Sequence, residues 1–241
     1  MNRILFESDE INSGGNVILR GPRAEHILNV LKVKPGQILK TGTINGSRGT
    51  STVLEVSNDL ISLHCSHNED SPKPWFDLIL ATPRPLVLKR LWPQLATLGA
   101  GKIFLVKASK VEKYYFSSQW VEAEAVRPLL IEGAVQAGST HIPEFEIKIH
   151  FGHFIENELD RLAPHAVRLL AHPGPMTRLR CEWCVPGVRP LIAIGPEGGW
   201  TNSELKLFDA HGFSRFSLGE RILRSDTACI ALISVLDYCR G

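Results

Sequence analysis

The sequence from 191 to 204 reads Leu-Ile-Ala-Ile-Gly-Pro-Glu-Gly-Gly-Trp-Thr-Asn-Ser-Glu. Its first four residues are apolar and predict a buried strand, which three glycines and a proline end abruptly. Glycine lets a backbone approach a ligand because no Cβ stands in the way. Thr201 and Glu204 have the spacing of a capping box, so a helix is predicted to begin there. The stretch therefore predicts a strand, a rigid loop and a helix, although an ordinary strand-to-helix turn would have the same local chemistry.

Strands and helices alternate around this stretch, from about residue 74 onward. Alternating buried strands and helices indicate a mostly parallel sheet covered on both faces, and ligands bind such sheets at the carboxyl ends of the strands. The predicted strands are 76–81, 102–106, 145–149, 167–171, 191–194 and 215–218. The predicted helices are 86–98, 120–136 with an interruption or kink near Pro128, 154–162, 203–210 and 226–238.

The first seventy residues have a different pattern of short strands and turns. Strands are predicted at 16–20, 37–44, 50–56 and 59–65, a helix at 23–32 and a hairpin turn at 45–49. Several short strands with little apolar length favour a small β-barrel. Residues 66–74 are polar and contain two prolines, which is typical of an exposed linker. The predicted domains are therefore 1–70 and 74–241.

The composition is that of an ordinary folded protein. The chain has 241 residues, of which 44% are hydrophobic and 22% charged, so it can bury a core without metal or disulfide staples. The net charge of +2 neither requires nor excludes an RNA partner, which local basic patches would have to hold. No apolar run approaches the length of a signal peptide or membrane span, so a cytoplasmic protein without a membrane partner is predicted. The five cysteines are irregularly spaced and are expected to be free thiols.

A second motif, from 217 to 228, reads Ser-Leu-Gly-Glu-Arg-Ile-Leu-Arg-Ser-Asp-Thr-Ala. It also lies between a predicted strand and a predicted helix. Ser225 can cap that helix, and Asp226 in its first turn complements the helix dipole, so capping and catalysis are both open interpretations of Asp226. Arg221 and Arg224 oppose the dipole, which favours a role in holding RNA phosphate.

The two motifs together resemble the RsmE family of SPOUT methyltransferases. The resemblance lies in Ile-Gly-Pro-Glu-Gly-Gly at 194–199 and Leu-Gly-Glu-Arg-Ile-Leu-Arg at 218–224, followed by an acid, Thr and Ala. Residues 24–36 are similar to the helix and turn of that family's N-terminal domain, and 170–173 are similar to a further landmark. The resemblance implies an α/β fold, with a SPOUT trefoil-knot methyltransferase domain and a small PUA-like β-barrel. It also implies S-adenosylmethionine as cofactor, a homodimer, and methylation of uridine N3 in 16S small-subunit ribosomal RNA.

The resemblance assigns roles to particular residues. Arg224 is expected to stabilise the anion that develops on uracil, while Asp226 orients Arg224 or accepts the N3 proton and Glu197 is the alternative base. Basic residues that are expected to contact RNA are Arg20, Arg23, His26, Lys32, Arg84 and Arg221. Residues that are expected to line the cofactor site are Leu170, Ala171, His172, Gly195, Pro196, Glu197, Gly198, Gly199, Leu218, Gly219, Ile222, Leu223, Thr227 and Ala228.

Two other functions remain open. One is a SPOUT methyltransferase that acts on another RNA, such as tRNA. The other is a non-catalytic RNA-binding factor for ribosome assembly, against which the intact glycines and Arg224 argue. The expected partner is ribosomal RNA, either free or in the assembled small subunit. Cys181 and Cys184 have the spacing of a zinc or dithiol pair, but no second pair follows, so no metal is predicted.

Overall fold

The computed structural model describes residues 3–57, 59–164, 167–173, 178–183 and 187–240. The chain divides into two compact units. The first contains Met1–Lys73 and Ala134–Ile142, and the second contains Pro74–Gly133 and Pro143–Gly241. Nothing in the sequence pattern indicated that 134–142 would group with the first seventy residues. No helix in the described part of the chain is both long enough and apolar enough to cross a membrane.

The first unit contains a five-stranded mixed sheet. Its strands are β1 (Ile4–Phe6), β2 (Asn16–Arg20), β3 (Ile38–Thr43), β4 (Arg48–Val56) and β5 (Leu60–Glu69). They are arranged in the order β1-β3-β4-β5-β2, with β1 parallel to β3 and every other pair antiparallel. A 3₁₀ turn spans Ser8–Glu10, and α1 (Gly21–His26) continues into a π-helical turn, Ile27–Leu31. Buried apolar side chains, among them Phe6, Val17 and Leu63, form its core.

The four strands predicted in the first seventy residues are confirmed, but β1 was not predicted and β4 begins at Arg48 rather than at residue 50. Two further boundaries differ. The helix begins two residues before the predicted start, because Pro22 fits the first turn of a helix, where its missing N–H is not needed. The prediction of a linker from residue 66 was wrong for its first four residues, because β5 continues to Glu69. His67 explains the difference, since its ring nitrogens lie 2.8 Å from Thr41 Oγ1 and 3.0 Å from Thr43 Oγ1. A polar side chain in this strand is therefore satisfied inside the protein rather than by solvent.

The second unit is built on a six-stranded sheet. Its strands are β6 (Phe76–Ala81), β7 (Ala100–Val106), β8 (Glu144–Lys148), β9 (Arg168–Ala171), β10 (Leu191–Ile194) and β11 (Ser214–Phe216). The helices are α2 (Pro85–Thr97), α3 (Ala123–Ala137), α4 (Phe151–His153), α5 (Leu159–Leu162), α6 (Asn202–Ala210) and α7 (Ser225–Cys239). A π-helical turn, Phe154–Glu158, joins α4 to α5, and 3₁₀ turns span Lys113–Ser117, Gln119–Val121 and Cys181–Trp183. The last four residues of α3 are counted with the first unit.

The strand order in this sheet is β11-β9-β10-β6-β7-β8, and every neighbouring pair is parallel. All residues of β6 and β10 are buried, as the continuous apolar runs predicted. The prediction of a parallel sheet in a mixed α/β fold is confirmed. Because parallel strands share one carboxyl edge, the loops that follow β9, β10 and β11 meet there. This edge carries both motifs that the sequence singled out.

Several predicted element boundaries in the second unit were wrong. Strand β7 begins at Ala100 rather than at residue 102, and the helix predicted at 154–162 begins at Phe151 and is interrupted by the π-helical turn. Pro128 lies inside α3 without ending it, and the helix begins at Ala123, after the separate turn Gln119–Val121. The strand predicted at 215–218 ends at Phe216. Ser217 forms only an isolated parallel bridge with Arg178, and its hydroxyl accepts from Gly219 N and donates to Gly219 O, which begins a local turn.

Candidate active site

A cavity lies at the carboxyl ends of β9, β10 and β11. It has about 670 Å³ of space when its solvent-open mouth is included. Its walls are mostly apolar, with a few polar groups. The lining residues are Ala171, His172, Pro173, Ile194, Gly195, Pro196, Glu197, Gly199, Trp200, Phe216, Ser217, Leu218, Arg221, Ile222, Leu223, Ser225, Ala228 and Leu232.

Residues 195–199, which we call the glycine loop, form the first wall. Gly199 N donates to Pro196 O at 2.8 Å, which closes a tight turn, and Gly199 has a φ of +68° that favours glycine. A Cβ at Gly195 would stand 2.8 Å from Trp200 Nε1, so no larger residue fits without a shift. Ser225 Oγ donates to Gly195 O at 3.2 Å and ties the loop to α7. The chain's own contacts therefore specify the shape of this wall.

The helix after the glycine loop begins as the sequence predicted. Thr201 Oγ1 accepts from Glu204 N at 3.3 Å, and Glu204 Oε2 accepts from Thr201 N at 2.7 Å, which confirms the capping box. Trp200 is only 5% exposed and packs between Phe151 and Phe208, with ring centroids 5.5 and 4.9 Å away. This packing fixes the point at which the loop joins α6.

Residues 217–224, which we call the arginine loop, form the second wall. Leu218, Arg221, Ile222 and Leu223 line the cavity and are also exposed to solvent, Ile222 to 80%. Arg224 is exposed just before α7, with its Nε 3.5 Å from Asp226 Oδ1. The charged groups of this loop therefore lie at the rim of the cavity.

Ser225 was expected to cap α7, and this prediction was wrong. Ser225 is the first residue of the helix, Arg224 occupies the cap position, and no side chain caps the helix there. The Ser225 hydroxyl donates instead to the glycine loop. Asp226, in the first turn, accepts from its neighbour's amide, Thr227 N, at 2.9 Å. Its contact with Arg224 leaves both interpretations of Asp226, dipole partner and catalytic acid or base, compatible with the geometry.

Two polar atoms on the cavity wall are buried and lack a hydrogen-bond partner among the described residues: His172 Nδ1 and Trp200 Nε1. Burial, and then the positive charge of Arg215, lower the pKa of His172 below its ordinary value, so the ring is neutral at pH 7. Its amide donates to Phe216 O at 3.0 Å, which links the ends of β9 and β11. Buried groups of this kind are rarely left unsatisfied, so they are available to a ligand.

Most residues predicted to contact the cofactor line this cavity. Leu170, Gly198, Gly219 and Thr227 do not, and the Leu170 side chain is fully buried in the core of the sheet. Seven residues that line the cavity were not predicted to contact the cofactor: Pro173, Ile194, Trp200, Phe216, Ser217, Ser225 and Leu232. Leu232 could have been predicted from the sequence, because it follows Ala228 by four residues on one helix and so lies on the same face.

The residues predicted to contact RNA are placed differently. Arg23 donates to Glu10 Oε1 at 2.6 Å and to Leu5 O at 2.7 Å, so it has structural partners. Arg20 is exposed and lies 3.4 Å from Asp59. Lys32 and Arg84 are exposed, Arg221 lines the cavity, and the His26 side chain lies outside the described structure.

Among the described residues, no three His, Cys, Asp or Glu side chains lie close enough together to hold a metal ion. Cys184 and the side chain of Cys181 lie outside the described part of the chain, so the prediction about that pair stays a prediction. Cys65 and Cys229 are free thiols.

Known proteins with similar sequences and folds identify the family. The profile of an RNA methyltransferase domain matches residues 69–237. Ribosomal RNA small subunit methyltransferase E of Treponema pallidum is 33% identical, over 98% of this chain and 90% of its own length. Ribosomal RNA small subunit methyltransferase E 1 of Borreliella burgdorferi is 27% identical, over 96% of this chain and 95% of its own.

The fold is also similar to that of a solved relative. A ribosomal RNA small subunit methyltransferase E from Neisseria gonorrhoeae, bound to S-adenosyl methionine, superimposes with a TM-score of 0.79 at 21% identity. The match covers 99% of this chain and 97% of that one. At this identity the likeness concerns the fold. The profile and the Treponema relative each cover most of this chain, and together they show that it belongs to the ribosomal RNA small subunit methyltransferase E family of RNA methyltransferases.

Proposed function

We propose that this protein transfers a methyl group from S-adenosylmethionine to N3 of a uridine in 16S small-subunit ribosomal RNA. The observation that carries the proposal is the cavity between the glycine loop and the arginine loop. It lies at the carboxyl edge of a parallel sheet, where α/β proteins bind ligands, in a member of a ribosomal RNA methyltransferase family.

The residues of the cavity fit S-adenosylmethionine. No heavy atom lies within 4 Å of the Cβ position at Gly199, so the glycine leaves backbone open to a ligand. His172 Nδ1 and Trp200 Nε1, which have no partner within the described ranges, are polar groups for a purine or a carboxylate, and the apolar side chains of Ile194 and Phe216 suit an adenosine ring. When bound, the cofactor supplies an electrophilic methyl group on a sulfonium.

The chain's own residues must orient the uracil and manage the proton on N3. Arg224, at the rim and 3.5 Å from Asp226, is proposed to stabilise the negative charge that develops on the uracil oxygens. Asp226 holds Arg224 or accepts the N3 proton, and Glu197, exposed on the cavity wall, is the alternative base. Alignment of the two reacting groups in such a site supplies a large part of the rate.

We infer the finer architecture from the family resemblance. The second unit is proposed to be a SPOUT domain with a trefoil knot, beginning near residue 74. The first seventy residues are proposed to be a PUA-like, RNA-binding β-barrel, a role supported by the five-stranded sheet and the exposed Arg20 and Lys32. Ribosomal RNA, free or in the assembled small subunit, is the proposed partner, and the cytoplasm is the proposed location.

The active form is proposed to be a homodimer. Helix α7 has exposed apolar side chains at Ile230, Val235 and Tyr238, of which Val235 and Tyr238 have the three-residue spacing of one helix face and Tyr238 is 87% exposed. Ile222 on the arginine loop is also exposed, to 80%. Exposed large apolar side chains are typical of protein interfaces, and a second copy of the chain is the occupant that the family resemblance favours.

The test is to map N3-methyluridine by mass spectrometry in ribosomal RNA from cells with and without the gene. We expect one N3-methyluridine of 16S RNA to disappear and to return with the wild-type protein. If 16S RNA is unchanged while a tRNA loses a methyl group, the first alternative function is correct. If no RNA changes, the non-catalytic assembly factor replaces the proposal.

A further inference from the structure

The loop that follows β7, residues 107–112, which we call the β7 loop, contacts the segment 198–204 at two points. Lys110 Nζ donates to Gly198 O at 2.6 Å. Ser109 N donates to Glu204 Oε1 at 2.7 Å. The two contacts bracket the junction between the glycine loop and α6. Neither Lys110 nor Glu204 lines the cavity, so both act on its wall from behind.

Glu204 joins the β7 loop to the start of α6 through one carboxylate. Its side chain is buried, with the residue only 4% exposed, and Oε2 accepts from Thr201 N at 2.7 Å and from Thr201 Oγ1 at 2.8 Å. The other oxygen accepts from Ser109 N. Burial alone would raise the pKa of Glu204, but the hydrogen bonds from Thr201 and Ser109 outweigh it and hold the pKa below its ordinary value. The group is therefore ionised at neutral pH, and both oxygens are acceptors.

A carboxylate is the side chain that this junction requires. The donors from the two segments, Ser109 N–H and Thr201 N–H, approach different oxygens of Glu204. Glutamine has the same shape but only one acceptor oxygen, since its other terminal atom is an NH₂ donor. In a Glu204→Gln variant one of the two amides would face another donor, and one contact would be lost.

Lys110 makes the second contact between the β7 loop and the segment 198–204. A Cβ at Gly198 would stand 2.9 Å from Lys110 Cδ, so the lysine side chain crosses the glycine loop where a side chain is missing. The ammonium binds the carbonyl of Gly198, while Ser225 binds the carbonyl of Gly195 from α7. The glycine loop is therefore held near both of its ends by segments that are distant in sequence.

We propose that Lys110 and Glu204 are positioning residues, through which the β7 loop holds the glycine loop in the shape that accepts the cofactor. This inference rests on the proposed function, in which the cavity binds S-adenosylmethionine. A loop that is ordered before binding gives tighter binding, because it loses less conformational freedom when the ligand arrives. The two residues then act on cofactor affinity more than on the rate of the bound complex.

The experiment is calorimetric titration of S-adenosylmethionine into the full-length wild-type protein and three variants. We expect Glu204→Gln to raise Kd about tenfold, which corresponds to about 1.4 kcal/mol. Lys110→Met is expected to raise Kd by a smaller factor, and Lys110→Arg, which keeps a donor, to restore most of the affinity. Lys113→Met is the control, because Lys113 is exposed in the same region and has no hydrogen bond or ion pair among the described residues.

The outcomes separate this inference from the proposed function. If wild type does not bind S-adenosylmethionine, the proposed function fails. If wild type binds and Lys110→Met and Glu204→Gln bind equally well, the positioning role is overturned. A merely structural role would lower the binding-competent fraction and the Tm while leaving Kd unchanged, and this result also overturns it. If Glu204→Gln does not fold, the variants of the exposed Lys110 still test the positioning role. A higher Kd for Lys110→Met than for Lys110→Arg supports it, and equal values overturn it.

Discussion

The two walls of the cavity are built in opposite ways. The glycine loop is bound by Ser225 and Lys110 through its carbonyls and closed by its own turn. In the arginine loop, residues 220–223 have no hydrogen bond or ion pair in the described structure, and their side chains are exposed. One wall is thus fixed by the chain itself. The other presents cations and apolar groups to whatever approaches the cavity, which suits a cofactor on one side and RNA or a second protomer on the other.

The sharpest test of this contrast is Arg224→Ala. Arg224 lies on the exposed wall, outside the cavity lining, so its loss should not disturb the cofactor. We expect turnover to fall by about 100-fold or more, as for loss of a charge-stabilising donor, with Kd for S-adenosylmethionine within about twofold of wild type. Single-turnover methylation and calorimetry measure the two quantities. An equal loss of both would show that the walls are not functionally distinct.

The fixed wall is tested by Gly195→Ala. The new Cβ would lie 2.8 Å from Trp200 Nε1, and this indole is packed against Phe151 and Phe208, so the glycine loop must move. We expect Kd for S-adenosylmethionine to rise about tenfold, an effect of the size that overpacking produces. Gly152→Ala is the matched control, because a Cβ there meets no atom within 4 Å. Unchanged affinity in Gly195→Ala would mean that the loop is more adaptable than its contacts indicate.

The smallest effect on the cofactor is expected from Tyr238→Asp, which places a charge on the exposed face of α7. Sedimentation should show wild type at about twice the 26.7 kDa of one chain and the variant shifted toward 26.7 kDa. Turnover should fall severalfold while cofactor affinity changes little. Lys206→Gln, on the exposed face of α6, controls for a charge change of the same size, because it also lowers the net charge by one. A wild-type protein that sediments as a monomer would contradict the proposed homodimer.

The sequence predicted those features that depend on neighbouring residues. The bounds of β6 and β10 follow from runs in which every side chain is buried, and the capping box of Thr201 and Glu204 spans only three residues. The same Glu204 also binds Ser109, which lies 95 positions away, and no local pattern indicates that contact. The partners of Arg23 were missed for the same reason, since exposed and engaged arginines look alike in a sequence.

The polar residues at the end of β5 show a second limit on prediction from the sequence. A run of polar side chains indicates a linker when solvent is the assumed partner, whereas His67 hydrogen-bonds to Thr41 and Thr43. Ser225 shows the converse, because its hydroxyl serves the glycine loop rather than the helix that it begins. In both cases the three-dimensional neighbour decides between two roles that the residue type allows equally.

The position of β10 has a consequence for how the molecule acquires its activity. This strand is inserted between β9 and β6, and Leu191 pairs with Asp77 from far earlier in the chain. Contacts of such long range form slowly, because the intervening chain must first be closed into a loop. The glycine loop directly follows β10 in the chain. The residues that line the cavity extend to Leu232, so its walls cannot all be in place until these long-range contacts have formed.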